Sequence, residues 1–116
     1  MSTSPRLSVS TVDLVTIIRF TASEISDMDN IQELSEELNN LVNANCKLVV
    51  SFEAVDFLSS AALSKLITLE KLVKSHRGQL RFCHISPQVY EVFAVTRLDK
   101  LFNIKGDEHE AIASLS

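Results

Sequence analysis

Two glycines and two prolines in a chain of 116 residues leave few of the backbone devices on which nucleotide chemistry depends. Neither Gly78 nor Gly106 belongs to a G-x-G-x-x-G or Walker pattern, so no glycine-rich loop can cradle a phosphate and no nucleotide cofactor is expected. Tryptophan is missing and Tyr90 is the single tyrosine, which leaves few rings for stacking on sugars. Apolar runs are only a few residues long, against the roughly 20 that a membrane-crossing helix needs. The opening Met1 to Arg6 has no apolar core of the kind a secretory leader carries. A soluble, cytoplasmic chain with no membrane partner is expected. Cysteine is equally scarce: Cys46 and Cys83 lie at the edges of predicted strands, with no second cysteine or histidine at ligand spacing beside Cys46. That pattern predicts two reduced, buried thiols and no metal.

Excess basic charge is also lacking. The net charge is -4 and the pI is near 5.3, so a nucleic-acid partner gets no electrostatic support. The charges that are present are segregated. Six acids and no base lie between Arg19 and Lys47 (Glu24, Asp27, Asp29, Glu33, Glu36, Glu37), whereas Lys65, Lys71, Lys74 and Arg77 are opposed only by Glu70. One acidic helix followed by one basic helix is predicted; such faces either stay solvated or steer a partner.

With 46% hydrophobic residues the chain has enough apolar mass for one core, and residues 1-116 form one domain without internal repeats. Leu7 to Ser10 and Leu14 to Phe20 are β-branched runs joined by Thr11, Val12 and Asp13, which predicts an antiparallel hairpin. Ile31, Leu34, Leu38 and Leu41 then recur at helical spacing, with Asp27 or Asp29 as the cap and Asn43-Ala44-Asn45 as the end. A buried strand is predicted over 47–52 and a helix over about 60–76, closed by a left-handed glycine in Arg77-Gly78-Gln79. Leu80 to His84 predicts the next strand, and Ser86-Pro87 supplies a cap and first-turn proline for a short helix. Leu101 to Ile104 reads as a last strand and Glu108 to Leu115 as a closing helix. The order ββαβαβαβα implies an α/β fold, with a mostly parallel sheet behind an N-terminal hairpin and helices on its faces.

The most informative segment is Val55-Asp56-Phe57-Leu58-Ser59-Ser60-Ala61-Ala62-Leu63-Ser64-Lys65-Leu66, where an apolar strand gives way to a helix. Ser59 and Ser60 are residue types favoured at a helix N-cap, because the side-chain oxygen accepts from an otherwise unpaired backbone N–H. One of the two is the cap. His76, His84 and His109 are scattered, and none is paired in sequence with a nucleophile. Asp56 is placed to steady the loop or the helix start. No set of nucleophile, base and oxyanion donors can be assembled, so an enzyme is not expected.

Phe57-Leu58-Ser59-Ser60-Ala61-Ala62-Leu63 resembles the phosphorylation loop of the STAS family, the bacterial anti-sigma factor antagonists. The likeness extends through Gly78 to Cys83, Pro87 to Phe93 and the L-x-x-L-F ending in Thr96 to Ile104, so that it spans nearly the whole chain. It implies a STAS fold and a function in binding an anti-sigma factor that is also a serine kinase, with Ser60 in the acceptor position. Phosphorylation of Ser60 would switch the protein off and so regulate sigma-factor-dependent transcription. Asp56, Leu58, Ser59, Ser60, Ala62 and Lys65 are the expected partner-binding residues, a phosphatase is a further expected partner, and the chain is expected as a monomer or weak homodimer. Ser59 stands where the family has aspartate, and Ala61 and Ala62 replace its serine or threonine and its glycine. Two alternatives are a STAS scaffold that is not phosphorylated and a small-ligand-binding or transporter-related STAS domain.

Overall fold

Asp13 and Leu14 both have positive φ, 50° and 69°, the conformation a two-residue hairpin needs if its twist is to match the flanking strands. The computed structural model describes residues 7–21, 24–25 and 28–115. Strand β1 (Leu7–Val12) pairs antiparallel with β2 (Val15–Phe20) in a register that sets Val12 opposite Val15. The turn is thus 13–14, and β1 runs two residues further than its alternation predicts.

Next come β3 (Glu24–Ile25), α1 (Met28–Asn40), β4 (Lys47–Ser51), β5 (Phe57–Leu58) and α2 (Ser60–Ser75). The chain closes with β6 (Gln79–Cys83), α3 (Pro87–Val95), the single turn α4 (Leu98–Leu101) and α5 (Glu108–Ala113). The main sheet has the order β1-β2-β4-β6, and β2, β4 and β6 run parallel. Because side chains alternate across a strand, β4 sends Leu48 and Val50 to one face and Val49 to the other. Leu34 and Leu38 of α1, with Ala62, Leu66, Leu69 and Val73 of α2, cover the first face. Ala111 of α5 and Leu115 cover the second, over Val15, Ile17, Val49 and Cys83.

The first face is organised by rings. Phe52 lies 5.1 Å from Phe20 and 5.3 Å from Phe82, and Phe102 lies 4.6 Å from Phe82 and 5.4 Å from Phe93. Edge and tilted pairs of this kind contribute roughly 0.5–1.5 kcal/mol each beyond their burial. Five of the six phenylalanines are therefore one cluster, and Phe57 is the sixth.

Three expectations change. The strand over 101–104 contracts to a single parallel bridge between Ile104 and Phe82. Arg97, at φ 63°, starts the turn α4 instead, and the Phe102 N–H donates to Leu98 O at 2.9 Å as the ring enters the core. At the end of α2 the left-handed residue is Arg77 (φ 61°), not Gly78. The Gly78 N–H reaches Val73 O at 2.9 Å and that of Arg77 reaches Lys74 O at 3.0 Å, the two bonds of a Schellman ending. Gly78 is required for a different reason: a Cβ there would lie 2.6 Å from Cys46 Sγ. Finally, Asp29 lies inside α1 and cannot cap it, while Asp27 lies outside the described residues, as does the Met1 to Arg6 start. Among the described residues no helix is long and apolar enough to cross a membrane.

Helix α5 is fastened by charge as well as by packing. Arg19 Nε donates to Glu108 Oε2 at 2.8 Å and its second terminal nitrogen to Oε1 at 2.7 Å, a two-point pair joining β2 to the far end of the chain. The hydrogen bond from Arg19 holds the Glu108 carboxyl below its ordinary value. A depressed carboxylate stabilises the fold above its unfolded pKa and loses that contribution as pH falls through the folded value. Glu108→Gln is accordingly expected to lower stability at neutral pH and to flatten its decline below about pH 4.5, measured by urea unfolding across a pH series. Phe52→Ala is expected to cost about 3–5 kcal/mol, whereas Phe57→Ala should stay within about 0.5 kcal/mol of the parent; the same urea titrations compare them at neutral pH.

Candidate functional site

Strand β4 ends in Ser51 and a buried Phe52, whose N–H donates to Cys83 O at 3.0 Å, so the chain leaves the sheet still tied to β6. A turn closed by Val55 N–H to Phe52 O (2.9 Å) buries Val55 and turns Asp56 out to solvent. The two residues of β5 then pair in parallel with β3, Phe57 opposite Glu24 and Leu58 opposite Ile25. Alternation divides them: Leu58 points into the core and Phe57 is 50% exposed.

Ser59 is extended (φ -79°, ψ 167°), and its hydroxyl accepts from the Ala62 N–H at 3.2 Å. It is the N-cap of α2. Its carbonyl accepts the Leu63 N–H at 3.0 Å, the first bond of the helix. Ser60 is the first helical residue and is exposed; among the described residues nothing hydrogen-bonds its hydroxyl. With the cap made by its neighbour, this hydroxyl takes no part in holding the helix start. The first turn of α2 contains no acid, so the positive end of a 16-residue helix is not neutralised there.

The residues expected to meet a partner fall into two groups. Asp56 and Ser60 are exposed, and Ser59 and Lys65 are half-buried, the Lys65 ammonium reaching Gln32 Oε1 of α1 at 3.4 Å. Leu58 and Ala62 are only 5% and 3% exposed, so they shape the junction from beneath rather than offer side chains. Ala62 has helical backbone, so this position uses none of the freedom of the glycine it replaces. Phe57 is the surface residue that sequence reasoning missed, because two residues of strand are too few to show alternation.

The acidic and basic segments prove to be neighbouring helices. Glu33 and Glu36 of α1 are exposed, and α1 meets α2 through Lys65 and Gln32. The side chains of Glu24, Asp27 and Asp29 lie outside the described residues. The histidines lie on three different elements: His76 Nδ1 sits 2.9 Å from Leu72 O at the end of α2, His84 follows β6 and His109 lies on α5. Both cysteines are free and buried, and burial pushes the Cys83 thiol up to about 12. Such a thiol is a poor nucleophile near neutral pH.

The junction thus sets an exposed serine directly after a capping serine, past the exit of a parallel strand. The STAS domain profile matches residues 6–111. The chain belongs to the STAS domain family. Among its relatives, BtrV of Bordetella bronchiseptica, designated a candidate anti-sigma factor antagonist, is 27% identical over 86 residues, which cover 73% of this chain and 74% of BtrV. A STAS-domain anti-sigma factor antagonist from Planctomyces limnophilus superimposes with a TM-score of 0.84 at 23% identity, over 95% of this chain and 97% of that one. The phosphorylated form of the Bacillus cell fate determinant SpoIIAA superimposes with a TM-score of 0.69 at 17% identity, over 95% and 99% of the two chains. At these identities the two structures share the fold with this STAS domain.

If Ser59 alone caps α2, Ser59→Ala should lower stability by about 1 kcal/mol, while Ser60→Ala should change it by less than about 0.5 kcal/mol. Thermal or urea unfolding of the two variants distinguishes these assignments, and equal losses would contradict them.

Proposed function

We propose that this STAS domain is an anti-sigma factor antagonist, a binding protein rather than an enzyme, whose capture of a serine-kinase anti-sigma factor is ended by phosphorylation of Ser60. The observation that carries the proposal is the division of labour at the start of α2. Ser59 caps the helix, and Ser60, three residues after the exposed Phe57, presents an unengaged hydroxyl. A phosphate there adds about -1.5 to -2 charges at neutral pH. The fold tolerates that charge, because it sits at a helix N-terminus. An interface seated on Phe57 and Ser60 does not, because it would have to desolvate a dianion. The existence of SpoIIAA in a phosphorylated form and the antagonist relatives support the same reading.

One observation favours a second reading. Ser59 keeps the cap without the carboxylate of the family motif, which suits a scaffold that binds its partner and is not phosphorylated. Incubation with the anti-sigma factor kinase of the same organism and ATP, followed by peptide mass spectrometry, decides between them. Phosphate on Ser60 is expected; an active kinase that leaves Ser60 bare would select the scaffold. Ser60→Asp is expected to weaken binding to that kinase at least about tenfold, or about 1.4 kcal/mol, with an unchanged or slightly higher melting temperature. Calorimetry and thermal melts measure both, and unchanged affinity would place Ser60 outside the interface.

A further inference from the structure

The two faces of the main sheet are covered unequally. Among the described residues, 21 buried side chains form one cluster on the first face, whereas the cluster on the second has six: Val15, Ile17, Val49, Cys83, Ala111 and Leu115. Ala111 and Leu115, with the half-buried Ile112, are the cover there. The chain also changes its mode of attachment at Gly106. Up to that residue backbone bonds bind it to β6, from the Phe82 N–H to Asn103 O at 2.9 Å, from Lys105 N–H to Phe82 O at 2.7 Å and from His84 N–H to Gly106 O at 3.3 Å. Beyond it the bonds of the Ala111 N–H to Asp107 O, of Ser114 to Glu110 O and of Leu115 to Ile112 O close within the segment itself. Two arginines tie that segment to the sheet by side chain instead, Arg19 on Glu108 and Arg81 Nε on Ser114 Oγ at 2.9 Å. The Arg19 side chain is 42% exposed, so water reaches the first tie.

We propose that residues 107–115 act as a strap, lifting from the sheet as one unit about Gly106 while the remainder of the domain stays folded, and so baring Val15, Ile17, Val49 and Cys83. Segments that bury few apolar groups open at a smaller free energy than the core does. The Ser60 junction survives that opening, because Leu58, Ala62 and Leu63, the buried residues of its loop and first turn, belong to the cluster of the other face. The strap thereby gives the domain a second, conditional surface that is aliphatic and carries one thiol. In the closed state that thiol is wholly buried.

Alkylation of the full chain by iodoacetamide, read at each cysteine by peptide mass spectrometry, is combined with amide hydrogen exchange of α5 and β4 over a series of low urea concentrations. Cys83 alkylation and α5 exchange are expected to yield one opening constant with almost no urea dependence, whereas β4 should exchange at least about a hundredfold more slowly and with the steep urea dependence of global unfolding. Glu108→Gln should raise Cys83 alkylation about threefold or more. Leu38→Ala, on the opposite face, should leave Cys83 alkylation unchanged and speed β4 exchange at least about tenfold, because Leu38 stays packed whether the strap is closed or open. If that variant does not fold, the urea dependence of the parent decides alone. Exchange of α5 without alkylation of Cys83 would reduce the segment to a fraying end, and alkylation that keeps step with β4 exchange would show that the cover leaves only with the whole fold. Either result overturns the proposal.

Discussion

Strand β4 has no face turned to water, since Leu48, Val49 and Val50 are wholly buried, and that constraint governs the rest of the molecule. A strand buried on both faces must be flanked within the sheet, here by β2 and β6, and covered above and below. Helices α1 and α2 supply the large cover on the ring-filled face. Among the described residues only α5 and Leu115 supply the other, which is why a charged pair from Arg19 to Glu108 matters at a place where packing is thin. The functional junction follows from the same constraint. A strand locked on all sides ends at a fixed point, and the seven residues after Ser51 and Phe52 deliver the start of α2 from that point with Ser60 exposed and Ala62 and Leu63 buried.

How much of this was legible in the amino-acid order depends on whether the controlling interaction is local. The runs of β1 and β2, the spacing of Leu66, Leu69 and Val73, and the Ser86-Pro87 start of α3 are all local; the two helices appear where those patterns put them, and the hairpin does so with its turn moved to 13–14. The last strand was not legible, because the turn α4 takes up Leu101 and only Ile104 bridges to Phe82, while the Phe102 ring packs on Phe82 and Phe93, contacts set by tertiary packing. The β3–β5 pairing was hidden for the opposite reason: two residues carry no period. Gly78 was expected as the left-handed stop of α2, but Arg77 takes that conformation and the structure shows Gly78 at a close approach to Cys46 instead. At the site, the pair Ser59 and Ser60 was visible from residue type, but which hydroxyl capped the helix required the bond to Ala62. Burial of Leu58 and exposure of Phe57 depend on the path of the turn at Val55 and were beyond sequence, whereas Ala62 falls on the apolar face that its spacing with Leu66 and Leu69 marks out.

The departures from the family motif have a physical explanation in the same geometry. Capping asks only for an oxygen acceptor at Ser59, which a hydroxyl supplies as well as a carboxylate. Alanine suits Ala61 and Ala62 because both already lie in regular helix, where it is the best former and glycine among the worst. The helix start is thus secured by means independent of the motif, and Ser60 depends on none of the substituted groups for its exposure.

The close approach of Gly78 to Cys46 has a bearing on chemistry as well as on packing. The sulfur lies 2.6 Å from where a single added carbon on Gly78 would sit, and the Cys46 carbonyl is simultaneously held by the Gln79 N–H at 2.8 Å. An oxygen placed on that sulfur on the Gly78 side has no more room than the missing carbon. Oxidation to a sulfinic or sulfonic acid would then act as a wedge where α2 turns into β6, prising apart the start of β4 and its neighbour. The glycine that lets these two segments touch thereby makes the packing at this corner sensitive to the oxidation state of one sulfur.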